Sequence, residues 1–174
     1  MPRPVRKTFP RKFMPPLAKR LTMIETLVLA TDGSESVRRA ETVALDLADR
    51  FGATVHALYV LDETEVASAP EAVAADLRAA LDAEGEAALS AVAEAAPGDV
   101  VRAVRPGDPP GEIVAYATEV DADLVAIGTR GRHGEHRFLL GSVAERVVRQ
   151  CPVPVLSVRQ LAAEDQPPSD SHPS

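Results

Sequence analysis

The segment Gly128-Thr129-Arg130-Gly131-Arg132-His133-Gly134-Glu135-His136-Arg137-Phe138-Leu139-Leu140-Gly141-Ser142 gathers residue types suited to holding an anion. Its glycines let backbone amides approach and wrap a charged group. Gly141-Ser142 stands where a helical pattern begins, so free amides and the positive end of a helix dipole face the same point. Arg130, Arg132 and Arg137 add cations. The simplest ligand for such a ribbon is a polyphosphate. Two familiar nucleotide motifs are excluded. The phosphate loop Gly-x-x-x-x-Gly-Lys-Ser/Thr needs a lysine, and none follows Lys19; Gly-x-Gly-x-x-Gly is absent after the first predicted strand, where Asp32-Gly33-Ser34 stands.

Other reactive side chains offer less. His133 and His136 share the loop with no third ligand in view and read as solvated rather than metal-binding. His56 lies in a strand pattern and reads as a satisfied or edge-facing histidine. Cys151, the single cysteine, sits beside Pro152 with nothing near to activate it and reads as a packing residue. One cysteine permits no intramolecular disulfide, so a reducing cytoplasm is the expected compartment. Hydrolysis of such a polyphosphate ligand needs a positioned base for water, and beyond Asp32 no carboxylate or histidine is placed by sequence to serve, so slow turnover at most is expected. Asp32 and Ser142 each have a plainer reading as helix caps.

The elements that must carry these residues alternate. Thr26 to Thr31 reads as a compact apolar strand. Asp32-Gly33-Ser34-Glu35 then caps a helix with the stripe Val43, Ala44, Leu47, Ala48 and Phe51, closed by Gly52. Val55 to Val60 is a second strand. After a polar turn at Asp62-Glu63-Thr64, a capping box Ser68-Ala69-Pro70-Glu71 opens a long helix through Val73, Leu77, Leu81, Ala88 and Val92, which Pro97-Gly98 stops. Val100 to Val104 is a third strand. Asp108-Pro109-Pro110 opens a helix bearing Ile113, Val114, Ala117 and Val120. Asp123 to Ile127 is strand four, a short helix follows with Val143, Ala144, Val147 and Val148 on one face, and Val153 to Val158 is strand five. This order predicts an α/β domain: a five-stranded, open, twisted parallel sheet with helices on both faces. In such sheets ligands sit outside the carboxyl ends of the strands, where the glycine ribbon falls. The prolines of strand five place it at a sheet edge.

The whole chain has 174 residues, enough for one domain with tails, and its 45% apolar and 3% aromatic content requires a core of Val, Leu, Ile and Ala. No apolar run approaches the roughly 20 residues of a membrane-spanning helix, so no membrane partner is expected. The net charge of −7 conceals an asymmetry. Residues 1–22 hold Arg3, Arg6, Lys7, Arg11, Lys12, Lys19 and Arg20 and no acid, whereas the remainder has 12 Arg against 26 Asp and Glu and no lysine. A lysine-free acidic body suits a high-salt, halophilic cytoplasm, although a GC-rich genome would give the same bias. The basic segment is Pro-rich, lacks the apolar core of a secretory signal and reads as disordered. It is followed at once by an acidic body, which argues against a nucleic-acid arm. Met23, just before the first strand, is the expected natural start. The domain is expected over 23–159, with a polar, Pro-rich and frayed tail over 160–174.

The spacing Gly128, two residues, Gly131, nine residues, Gly141-Ser142 resembles the signature of the universal stress protein family in its ATP-binding branch. The opening LVLATDGSE, the segment RPGDPPGEIVAYA and the closing GSVAERVVRQCPVPVLSV match in the same order. The resemblance implies a Rossmann-like fold of the adenine nucleotide alpha hydrolase type. It implies ATP as ligand, with Val60 at the end of strand two offering its backbone to the adenine edge and Ala30 lining the same slot. Asp32 would face the ribose and phosphates, acting on Mg²⁺ carried by the phosphate. Gly128 would contact ribose, and Gly131, Gly141, Ser142 and the amides of Val143 and Ala144 would hold phosphates, with Thr129, Arg130, Arg132, His133 and Gly134 completing the ribbon. Arg130 stands where many relatives carry His, which adds attraction for anions. The resemblance also implies a two-fold homodimer through strand five, residues 153–158. The function implied is a stress-response or signalling switch in which ATP orders the loop from Gly128 to Gly141. The alternative is a stress protein with a vestigial nucleotide site acting through dimerisation or chaperone-like contacts. A phospho-receiver domain is disfavoured, because strand three ends in Arg105-Pro106-Gly107 instead of an acceptor Asp and the body has no lysine.

Overall fold

A computed structural model describes residues 24–130 and 140–160. Five strands, β1 (Thr26–Ala30), β2 (Thr54–Asp62), β3 (Val100–Gly107), β4 (Leu124–Gly128) and β5 (Val155–Val158), form one sheet in the order β3-β2-β1-β4-β5. Every pairing is parallel, with Leu27 opposite Val55 and Leu124, and Val125 opposite Val155. Side chains alternate between the faces of a strand, so β1 sends Leu27 and Leu29 one way and Val28 and Ala30 the other. The first pair packs with Leu45 and Ala48 of α1 (Arg38–Phe51) and with Leu81, Leu89 and Val92 of α3 (Glu71–Ala95). The second pair packs with Ile113, Tyr116 and Ala117 of α4 (Pro109–Glu119) and with Ala144 and Val147 of α5 (Ser142–Gln150). Both sheet faces are therefore covered, which is why the strands read as near-continuous apolar runs. Full burial of side chains such as Leu27, Leu29 and Leu58 stabilises the fold by about 1.5–3 kcal/mol each.

Several expected boundaries move, each for a local reason. The first helix does not start on an acidic cap: Glu35–Val37 form a 3-10 turn, Ser34 makes no side-chain capping bond, and α1 begins at Arg38. The stretch expected as a polar turn is α2 (Glu63–Ser68), capped by Asp62, whose Oδ1 accepts from the amides of Thr64 and Glu65. Ser68 belongs to that helix and its Oγ donates to the Thr64 carbonyl at 2.7 Å, so it cannot cap α3, which starts after Pro70 without a side-chain bond. β2 and β3 run two and three residues further than expected, because each supplies the other's ladder as far as Asp62 opposite Gly107. β5 starts at Val155; Pro154 precedes it and contributes only its carbonyl, to Val125 N–H. Phe51, Val73 and Val148, assigned to inward stripes, are exposed, and Leu45 packs inward instead.

The expected basic stretch 1–22, the expected start at Met23 and residues 161–174 of the expected tail lie outside the described residues. Gln160 is placed, its Oε1 accepting from Arg39 N–H at 3.2 Å.

Edges are treated differently on the two sides of the sheet. β3 carries Pro106 and two arginines held by neighbours: Arg102 donates to Ser90 Oγ at 3.1 Å, and Arg105 grips both Glu119 oxygens at 2.7 Å. Such charges and prolines discourage further strand pairing. β5 presents Val155, Leu156, Ser157 and Val158 with no charge of its own.

Beneath Arg105 lies the ring of Tyr116 at 5.2 Å, and the Tyr116 hydroxyl meets His56 Nδ1 at 3.1 Å. Desolvation by burial lowers the His56 pKa from its ordinary 6.5. Its protonated form is thus favoured in the unfolded chain, and stability falls as pH drops through about 6.5 and on to the depressed folded value. Denaturant midpoints at pH 7.5 and pH 5 should separate more for the wild type than for His56→Gln; equal separation would remove His56 from the account.

Candidate functional site

A cavity of about 280 Å³ opens at the carboxyl ends of the strands. It lies where the strand order reverses, between the ends of β1 and β4, the place an open parallel sheet leaves a crevice. β1 brings Ala30, Thr31 and Asp32 to its wall; β4 and the following residues bring Ile127, Gly128, Thr129 and Arg130; α5 brings Ser142, Val143 and Ala144 behind Gly141. Val60 lines it from β2. All of the expected site residues that are described therefore meet at one cavity. Gly131, Arg132, His133 and Gly134, also expected there, lie outside the described residues, as does the expected solvated His136.

Val60 is not the last residue of its strand, since β2 continues to Asp62. Its placement has a backbone logic. β1 ends at Ala30 opposite Leu58, and the Leu58 carbonyl accepts from Thr31 N–H at 3.0 Å. In a parallel strand alternate residues point their polar groups the same way, so those of Val60 face the side where β1 has ended.

The glycines at the β4 side are there for space. A Cβ on Gly128 would lie 2.9 Å from Val37 Cγ1 and 3.1 Å from the Arg130 carbonyl oxygen; one on Gly141 would lie 3.2 Å from the Thr129 carbonyl oxygen. Gly141 N–H donates to that same oxygen at 2.7 Å, which pinches together the two ends of the ribbon. Gly141 is the N-cap of α5 and Ser142 its first helical residue, and among the described residues no side chain caps this end. Ser142 is therefore not the cap it could have been. The first-turn amides of α5 stand at the cavity wall with the positive end of the helix behind them, an arrangement that favours anions.

Asp32 is also not a cap of α1. Its Oδ1 accepts from Ser34 N–H at 3.0 Å, closing a local turn beside Gly33, whose φ of 72° suits a residue without a side chain. Across the opening, Asp108 caps α4 through Gly111 N–H and takes both nitrogens of Arg146 at 3.1 and 3.0 Å, bracing α4 against α5.

The cavity also holds residues that sequence reasoning missed. Asp62 comes from the end of β2, where it caps α2, Glu65 from α2, Leu81 from α3, and Pro109 and Ile113 from α4. A signal for α2 was available: Asp62 with Glu65 three positions on is itself a capping pattern. Among the described residues the wall carries three carboxylates, Asp32, Asp62 and Glu65, against Arg130. Among the described residues no group of three acidic, His or Cys side chains is arranged to hold a metal by itself. Asp32, in the wall, is a carboxylate that could reach a cation carried in by an anionic ligand. No described helix is long and apolar enough to cross a membrane.

Parallel order, the crevice at the β1/β4 reversal and a helix end in its wall define a small doubly wound α/β protein with its crevice at the switch point of the sheet. Residues 23–159 match the model of the universal stress protein family, and the chain belongs to that family. It is 37% identical over 146 residues to universal stress protein MJ0531 of Methanocaldococcus jannaschii, a match covering 82% of this chain and 86% of that one. Among solved structures, universal stress protein UspA from Lactobacillus plantarum superposes with a TM-score of 0.67 at 28% identity, covering 79% of this chain and 99% of the other. A universal stress protein in complex with cAMP superposes with a TM-score of 0.59, also at 28% identity, covering 79% and 98%.

Proposed function

We propose that this protein binds ATP in the cavity between β1 and β4 and acts as a nucleotide-dependent stress-response or signalling switch. The observation that carries the reading is the uncapped N-terminus of α5, exposed in the wall of a crevice at the sheet's reversal point. In this reading the Val60 backbone and Ala30 hold the adenine edge, Gly128 lies against the ribose, and Gly141 with the amides of Ser142, Val143 and Ala144 holds phosphate oxygens. Thr129 and Arg130 flank them, and Asp32 reaches the phosphates through Mg²⁺. The relative crystallised with cAMP supports an adenine nucleotide as the ligand class. In this reading the ligand acts by binding, and it shifts states only by its unequal affinity for them. The uncharged edge of β5 supports association of two copies through that strand, in a cytoplasmic setting.

Calorimetric titration with ATP and Mg²⁺ tests the reading, with saturable binding as the expected result. Asp32→Asn should weaken binding in Mg²⁺ by about tenfold, the loss of one charge-assisted contact, while leaving affinity in EDTA unchanged or improved. Absence of binding at millimolar nucleotide by the wild type would favour a vestigial site.

A further inference from the structure

Thr31 is the one buried polar residue among the described residues, with 6% of its surface exposed. Its hydroxyl lies 2.6 Å from Glu41 Oε1 on α1 and 3.1 Å from Gly33 N. A carboxylate can only accept, so the hydroxyl spends its single proton on Glu41 and its lone pair receives Gly33 N–H. A directed chain results, from Gly33 N–H to Thr31 Oγ1 to Glu41. Its neighbour is the bond from Ser34 N–H to Asp32 Oδ1 at 3.0 Å. Two successive amides of the loop are thus tied by side chains of the two residues before them. On the far side Gly33 touches α3, where a Cβ would come within 3.0 Å of Ala88 Cβ. The end of β1 is itself fixed by Thr31 N–H on the Leu58 carbonyl.

We infer that Thr31 and Glu41 form a positioning pair that sets the Asp32 carboxylate at the cavity wall for a cation-bound phosphate. Glu41 does not line the cavity and acts only through Thr31. The inference rests on the ATP reading for its ligand, but the ordering of the loop stands on the bonds themselves. Serine preserves the chain, valine removes it while keeping the shape of the side chain, and alanine at Glu41 removes the acceptor.

The test has two arms on the full chain. In the first, ATP affinity is measured in Mg²⁺ and in EDTA for wild type, Thr31→Ser, Thr31→Val and Glu41→Ala. Thr31→Val and Glu41→Ala should reduce the Mg²⁺-dependent gain by about tenfold, as loss of an orienting partner does, while Thr31→Ser retains it. In the second, amide exchange at Gly33 and Ser34 is followed without nucleotide, and both disruptive variants should exchange about tenfold faster, with Thr31→Ser close to wild type. Folded Thr31→Val and Glu41→Ala proteins with the wild-type ratio of Mg²⁺ to EDTA affinities would overturn the pair's role toward the ligand. Unchanged exchange would overturn the positioning itself. A wild type that binds no ATP would sink the nucleotide reading, while the exchange arm still decides whether the pair sets the loop.

Discussion

Gly141→Val is expected to lower ATP affinity by at least about 100-fold while leaving the fold intact. Gly141 N–H is bonded to the Thr129 carbonyl at 2.7 Å, and the space beside that oxygen is what a side chain would take, its Cβ only 3.2 Å away. A branched side chain must push Thr129 and Arg130 from the α5 terminus, displacing the amides that would face the phosphates. Hydrogen bonds to charged groups contribute about 1.5–3 kcal/mol each, so losing two costs about 3–6 kcal/mol, which is more than two decades in affinity. Core burial is untouched, because Ala144 and Val147 anchor α5 from its other face. Titration beside thermal melting checks this. A folded Gly141→Val protein that binds ATP within threefold of wild type would refute the cradle. Gly141→Ala should fall between, since a few tenths of an ångström relieve a single methyl group.

The second large effect has a sign opposite to the one helix propensity gives. Gly85 sits inside the 25-residue helix α3, where replacement by Ala ordinarily gains up to about 1 kcal/mol. Here a Cβ would stand 2.5 Å from Cδ1 and 2.8 Å from Cε1 of Tyr59, a ring that is 2% exposed and packed among Leu27, Leu29 and Leu89. The ring cannot swing aside, so helix and sheet must separate. Overpacking costs about 1–3 kcal/mol and steeper overlaps more. Gly85→Ala should therefore be net destabilising by about 2 kcal/mol, seen as a lower urea midpoint at unchanged slope. Combining it with Tyr59→Leu should recover part of the loss, because the two sites share one contact. A Gly85→Ala protein more stable than wild type would show that the contact yields.

What the sequence disclosed follows from which forces are local. The parallel order was legible because a sheet covered on both faces needs apolar strands, and Leu27 to Ala30 or Leu124 to Ile127 can be little else. The close of α1 at Gly52 and the start of α4 at Asp108-Pro109 were legible because capping depends on neighbouring residues. The misread segments are those where one residue could serve two local structures. Ser68 fits a cap for α3 as well as the last turn of α2, and only the placement of Asp62 decides between them. Phe51 and Val148 fit an apolar stripe, but whether a neighbour lies opposite is a tertiary fact.

The site divides in the same way. Gly128, Gly141 and Ser142 were legible by spacing, and Asp32 by its place after a strand. Thr31 and Glu41, ten positions apart, and the contributions of α2, α3 and α4 become visible only when the chain is folded. Of the charges in the described wall, Arg130 was visible in the ribbon, while Asp62 arrives from the end of β2 and Glu65 from α2, which had not been read as a helix.

The unequal treatment of the two sheet edges limits how copies of this chain can add to one another. Pro106 and tethered arginines guard one flank and a neutral strand forms the other, so the proposed association through β5 would give each molecule a single adhesive side. Joining two such sides across a dyad would use both up, and growth would then terminate at a pair instead of propagating into a ribbon or fibre.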